Sequence, residues 1–121
     1  MHNFKELKSW QKAIEFCVEI YKLTGSFPSE ERFGLTSQLR RAGISVPSNI
    51  AEGAGRNSDK EFLHFLSIAT GSSYEVETQL IIVYRLGYIQ LKEIKEAELK
   101  LSEIQKIIFA FSNKIKLNIN K

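Results

Sequence analysis

Arg41, Ser45, Asn49, Glu52 and Arg56 recur at intervals of 4, 4, 3 and 4 residues. On an ideal helix at about 100° per residue they share a sector roughly 80° wide. A solvated helix face is ordinarily filled with Lys and Glu. This one combines guanidinium, hydroxyl, amide and a single carboxylate, which suit fixed hydrogen bonds. Two chemistries fit the set. One is a polar network with a neighbouring helix or subunit, in which Glu52 neutralises an arginine and Ser45, Asn49 and Glu75 take part. The other is contact with phosphates or bases, for which Arg and Asn are favoured donors. Glu52 counts against a pure phosphate track, because it would repel the backbone.

Other constellations fall short of a reaction. Glu61-Phe62-Leu63-His64 has the Glu-x-x-His spacing of carboxylate-bridged di-iron bundles, but such sites need a second pair and two further inward glutamates. The only other histidine is His2, read here as part of an unanchored terminus, so no metal site is expected. There is no Gly-x-Ser-x-Gly elbow, and Cys17 has no histidine partner in a suitable arrangement. Gly53-Ala54-Gly55-Arg56 lacks the preceding strand and the lysine of a phosphate-cradling loop. The sequence therefore predicts neither catalytic residues nor a cofactor. Cys17, the single cysteine, falls on an apolar helical face and is expected as a small buried hydrophobe.

The 121 residues suit one domain spanning 1–121, with 43% hydrophobic and 26% charged residues, ordinary values for a globular fold. No apolar run approaches the roughly 20 residues of a membrane span, and the N-terminus has no secretory pattern. A cytoplasmic location is the expectation. The net charge is +3, which permits nucleic-acid contact without requiring it. Its distribution is uneven. Gln90 to Lys121 holds seven lysines against four acids, whereas Ser58 to Gly87 holds two basic and four acidic residues. Lys114, Lys116 and Lys121 carry the excess into the C-terminal tail.

Four helical patterns must position these groups. The first runs from about Lys5 to Leu23, with Leu7, Trp10, Ile14, Cys17 and Tyr21 as its seam. Ser29 is the expected N-cap of the second, with Glu30 and Glu31 near its positive end, and Gly53 and Gly55 supply left-handed residues to stop it. Ser58-Asp59-Lys60-Glu61 reads as a capping box opening the third, which ends at Gly87. Gly71-Ser72-Ser73 in its middle is a poor helix sequence, explained by close approach of another helix. The fourth, Leu91 to Leu117, repeats Ile94, Ala97, Leu101, Ile104, Ile108, Phe111 and Ile115 at alternating 3 and 4. No stretch alternates as a strand should. The expected fold is all-α, an up-down-up-down four-helix bundle with a proline inside helix two.

That proline, Pro47, removes one helical hydrogen bond and crowds the carbonyl of Gly43, with Ser45 and Ser48 able to offer hydroxyls nearby. Apolar residues outside the seams (Phe16, Ile20, Ile81, Ile82, Ile107 and Phe109) exceed what one core needs, so self-association is expected.

The chain also resembles a known family, the small four-helix-bundle proteins encoded in intervening sequences of bacterial 23S ribosomal RNA genes. The resemblance covers nearly the whole chain and is densest over Gln38-Leu39-Arg40-Arg41-Ala42 and Ser45-Val46-Pro47-Ser48-Asn49-Ile50-Ala51-Glu52-Gly53. It extends to Phe27-Pro28, Phe33-Gly34-Leu35, Glu61-Phe62, Gly71-Ser72, Glu75 and Leu86-Gly87-Tyr88-Ile89. Gly43 departs from the alanine the family pattern would place there. The resemblance implies a homo-oligomer, a pentameric ring of bundles, and kinship with nucleic-acid-binding accessory proteins of diversity-generating retroelements. On these grounds Arg40, Arg41, Arg56, Lys114 and Lys116 are the candidate phosphate contacts, and Asn49 a base or backbone contact. The alternative is an adaptor ring that docks a protein partner, in which Arg41, Asn49, Glu52 and Arg56 bridge subunits. Arginines open to solvent would favour RNA; arginines paired with Glu52 or Glu75 would favour the adaptor.

Overall fold

The computed structural model describes residues 2–120. Four helices account for most of them: α1 (Lys8–Thr24), α2 (Leu35–Ala54), α3 (Asp59–Arg85) and α4 (Leu91–Ile119). Each packs antiparallel to the next. Gly43 of α2 faces Ile20 of α1, Gly53 of α2 faces Phe62 and Phe65 of α3, and Phe62 meets Phe111 of α4. Contacts between α4 and α1 close the square. The bundle expected from the helical patterns is the bundle observed.

The core is built as the sequence predicts on α3 and α4. Phe62, Leu66, Ala69, Val76, Leu80 and Val83 are buried against Ile94, Ala97, Leu101, Ile104, Ile108 and Ile115. On α1 the expected seam is rotated. Ala13, Phe16 and Ile20 face the core, flanked by buried Ser9 and Thr24, while Leu7, Trp10 and Cys17 are half-buried and Ile14 and Tyr21 are exposed. Helix α1 has two apolar arcs, and 3–4 spacing alone does not say which one turns inward. Phe16 and Ile20, expected as surplus, are core residues.

Helix boundaries show where side-chain chemistry overrode local propensity. Asn3 caps a short 3-10 turn over Phe4–Glu6, which delays α1 to Lys8. Ser29 does not cap α2. It begins a 3-10 turn, Ser29–Glu31, and α2 opens six residues later. There the Glu31 carboxylate accepts from the Leu35 backbone N–H at 3.2 Å. Gly34 is what lets it reach, since a Cβ on Gly34 would stand 2.7 Å from Glu31 Oε1. The expected box at α3 is half formed: Ser58 accepts from the Glu61 N–H at 3.2 Å. The reciprocal box stands instead at Gln90 and Glu93, opening α4.

Glycine roles also differ from expectation. Gly53 and Gly55 have no left-handed conformation; the one positive φ among the described residues is Gly87, at 84°. There Gly87 N–H bonds the Tyr84 carbonyl and Tyr88 N–H the Val83 carbonyl, a Schellman end to α3. Gly53 is needed for contact, because a Cβ would lie 2.8 Å from both Phe62 Cδ1 and Phe65 Cβ. The close approach expected at Gly71 is absent within the chain, where a Cβ would meet nothing within 4 Å. A mid-helix glycine costs roughly 0.5–1 kcal/mol relative to alanine, and no contact inside this chain accounts for that cost at Gly71.

Helix α2 runs unbroken through buried Pro47. The Ser45 hydroxyl, a candidate for the backbone groups freed there, turns instead to Asn49 and Ser72.

Candidate functional site

The helical phase of α2 sends Leu39, Ala42, Val46 and Ile50 into the core. Arg41, Ser45, Asn49 and Glu52 therefore lie along its flank towards α3, while Arg56, expected on the same helix face, follows just beyond the helix end at Ala54. Ser45 and Ser72 hydroxyls meet at 2.9 Å across the two helices, and either can donate. Asn49 Nδ2 donates to the Ser45 carbonyl at 2.8 Å and to its hydroxyl at 2.9 Å. The middle of the stripe is thus a polar joint between α2 and α3, and the Asn49 amide is held inside it.

The two ends of the stripe behave differently. Arg56 donates to Glu52 at 2.6 Å and lies 4.7 Å from the Phe65 ring centroid. Both side chains are about half exposed, so their ion pair is screened by solvent. Arg41 lines a groove between α2 and α3 with Gln38, Ser45, Ser72, Glu75 and Gln79. It makes no ion pair among the described residues, nor does Glu75. Gln79 Oε1, in the same groove, is buried without a hydrogen-bond partner.

Arg40 points the other way, to α1. Its Nε donates to Thr24 Oγ1 at 2.8 Å, its Nη2 donates to the Tyr21 carbonyl at 3.2 Å, and its guanidinium lies 4.6 Å from the Tyr21 ring centroid. Thr24 in turn donates to the Ile20 carbonyl at 2.8 Å. Arg40 therefore closes the C-terminal turn of α1, where a cation favours the negative end of the helix dipole. Sequence adjacency to Arg41 gave no sign of this, since neighbouring residues on a helix point about 100° apart.

Lys114 and Lys116 are exposed on the last turns of α4. Antiparallel packing brings that end beside the C-terminal end of α2, where Arg56 sits, and far along the bundle from Arg41. Lys121 lies outside the described residues. The same end holds a feature the sequence reading missed. His2 is anchored: its N–H donates to the Ala54 carbonyl at 3.1 Å, and its ring lies 5.0 Å from Phe62 and 6.0 Å from Phe111. Aromatic residues at both 62 and 111 were the available signal.

Among the described residues, no group of three or more His, Cys, Asp and Glu side chains comes together as metal ligands would. Glu61 and His64 are both exposed. Burial pushes the Cys17 thiol above its ordinary range, away from nucleophilic use. No helix among the described residues is long and apolar enough to cross a membrane.

The fold and sequence match known proteins. No curated protein matches the chain. A solved structure of a protein of unknown function from the S23 ribosomal protein family, from Bacteroides thetaiotaomicron VPI-5482, is 27% identical with a TM-score of 0.81. The match covers 87% of this chain and 95% of that one. The family model described as 23S rRNA-intervening sequence protein matches residues 5–110. A match of that extent, on a bundle of this topology, assigns the chain: it belongs to the 23S rRNA-intervening sequence protein family.

Proposed function

We propose that the protein is a non-enzymatic, cytoplasmic helical bundle that assembles with copies of itself and binds nucleic acid, RNA foremost, through phosphate contacts. The observation that carries this reading is the state of its cations. Lys12, Arg56 and Lys100 pair with Glu103, Glu52 and Glu19, whereas Arg41, Lys114 and Lys116 are exposed without a carboxylate partner among the described residues. Unpaired cations on rigid helices are available for phosphate contact without first breaking an internal bond. Arg40 drops out of the contact set because its donors already hold α1, and Asn49 because its amide is occupied by Ser45.

A second reading, an adaptor that docks a protein partner, is favoured by the Glu52–Arg56 pair, which places a carboxylate on the stripe. RNA binding by the purified protein at several salt concentrations, with mass measured on the same sample, separates the two. Phosphate binding gives micromolar or tighter affinity falling linearly in log[salt], and Arg41→Ala lowers that slope. An intact assembly with no affinity at low salt rejects the nucleic-acid reading and leaves the adaptor.

A further inference from the structure

We propose that Phe33, on the turn between α1 and α2, is a stacking platform for an unpaired nucleobase, so that the RNA this protein takes is single-stranded where it meets that turn. The inference rests on the nucleic-acid reading above and names the form of its ligand.

Phe33 is 88% exposed, more than any other large apolar side chain among the described residues. A single exposed apolar residue is ordinary; the turn beneath this one is not. Phe27, earlier on the same turn, is buried with its ring 5.6 Å from that of Tyr88. Three backbone hydrogen bonds then close the turn: Glu31 N–H to the Pro28 carbonyl at 2.9 Å, Arg32 N–H to Ser29 at 3.1 Å and Gly34 N–H to Glu31 at 2.9 Å. The Glu31 carboxylate ties two elements together, accepting from the Leu35 N–H at 3.2 Å and from the Tyr88 hydroxyl at 2.9 Å. Phe33 is therefore presented on a fixed backbone. A base that stacks on it does not first have to order a loop.

The groups around the ring fit a nucleotide. The Arg32 guanidinium lies 5.3 Å from the Phe33 ring centroid, within cation–π range, and has no carboxylate partner among the described residues. Arg41, within the first two turns of α2, and Arg85, the last residue of α3, are exposed at the same end of the bundle and are equally unpaired. Of the two carboxylates on the turn, Glu31 is engaged at both oxygens, and Glu30 accepts from the Ser29 hydroxyl at 3.3 Å. An aromatic face with cations beside it suits a single strand, the ring taking a base and the cations its backbone. A protein partner would ask for contiguous apolar surface, whereas the exposed residues nearest Phe33 along the chain are Ser29, Glu30, Arg32 and Gln38. A duplex has no free base face to offer the ring, because its bases are stacked on one another.

The test compares wild type, Phe33→Leu and Phe33→Tyr. Leucine keeps an apolar side chain without the aromatic face, and tyrosine keeps the face. Affinity is measured at several salt concentrations for an oligoadenylate RNA and for the same strand annealed to oligouridylate. Light scattering gives the mass of each sample, and circular dichroism its helicity. The position is exposed, so both variants should fold as the wild type does. Phe33→Leu is expected to bind the single strand about fivefold or more weakly, with the slope of log K against log[salt] unchanged, because stacking releases no counterions. Phe33→Tyr should bind as the wild type does, and all three should bind the duplex alike. Equal single-strand affinity in wild type and Phe33→Leu overturns the platform and leaves the phosphate contacts standing. An equal loss on single strand and duplex overturns the preference for an unpaired base. A lowered mass in Phe33→Leu overturns the platform in favour of a contact between protein copies. A wild type that binds neither RNA overturns the nucleic-acid reading, and the platform with it.

Discussion

The hydroxyls of Ser45 and Ser72 lie 2.9 Å apart, joining the polar stripe of α2 to the Gly-Ser-Ser segment of α3. Ser45 holds two partners, because Asn49 also donates to it, whereas Ser72 holds this one. Ser45→Ala should therefore destabilise more than Ser72→Ala. Each lost hydrogen bond is worth about 0.5–1.5 kcal/mol net, so the expected costs are roughly 1–2 and 0.5–1 kcal/mol. Urea denaturation of both single variants and the double variant measures the coupling directly, and a coupling near zero would show the contact to be incidental.

Two buried glycines of the same helix should respond with opposite signs. A Cβ at Gly43 would lie 3.8 Å from Ile20 Cγ2, an ordinary contact. Gly43→Ala should therefore stabilise by about 0.5–1 kcal/mol through helix propensity and the unfolded chain. At Gly53 the same change drives a methyl to 2.8 Å from two phenylalanines, and overpacking of that kind costs about 1–3 kcal/mol. Thermal melts of the two variants would reveal the contrast, and equal shifts would contradict it.

How far the sequence could be read follows from what each signal encodes. The α4 seam was legible because that helix has one dominant apolar arc, and six of its seven seam residues are buried. Helix α1 was misread because Trp10, Ile14, Cys17 and Tyr21 make a second arc as regular as the first. The start of α2 was hidden because its cap comes from Glu31, through a turn that Gly34 permits; no local motif announces a side chain folding back from that turn. The stripe was legible as a set, but its division was not. Whether Arg40 or Arg41 faces outward depends on where α1 packs, which is tertiary information.

Tyr88 gives a pH signature. Its hydroxyl donates to Glu31 Oε2 at 2.9 Å, and this bond, with desolvation and the nearby Glu31 and Glu30 charges, raises its pKa above the ordinary 10.0. A tyrosine whose folded pKa is raised contributes stability that is fully present below the unfolded value. That contribution is lost as pH rises through the folded value. Stability should therefore fall above about pH 10, and an ultraviolet absorbance titration should carry a late-ionising component that belongs to Tyr88. In Tyr88→Phe the late-ionising component should vanish and the alkaline loss of stability should shrink. A full-size alkaline loss in that variant would assign it to other groups.

Arg40 and Arg41 are neighbours in sequence with opposed expectations, and the pair tests the functional reading most sharply. Arg40→Ala removes two hydrogen bonds that close α1 and a stack on Tyr21. It should cost about 1–3 kcal/mol of stability and leave the salt dependence of RNA binding unchanged. Arg41→Ala removes an exposed cation with no ion pair among the described residues, so its stability should move by no more than about 0.5 kcal/mol. If Arg41 contacts one phosphate, the slope of log K against log[salt] should fall by about 0.7–0.9. Should both variants lower the slope equally, Arg40 would have to leave α1 to reach the ligand, and its melting temperature with RNA bound would then reveal that rearrangement.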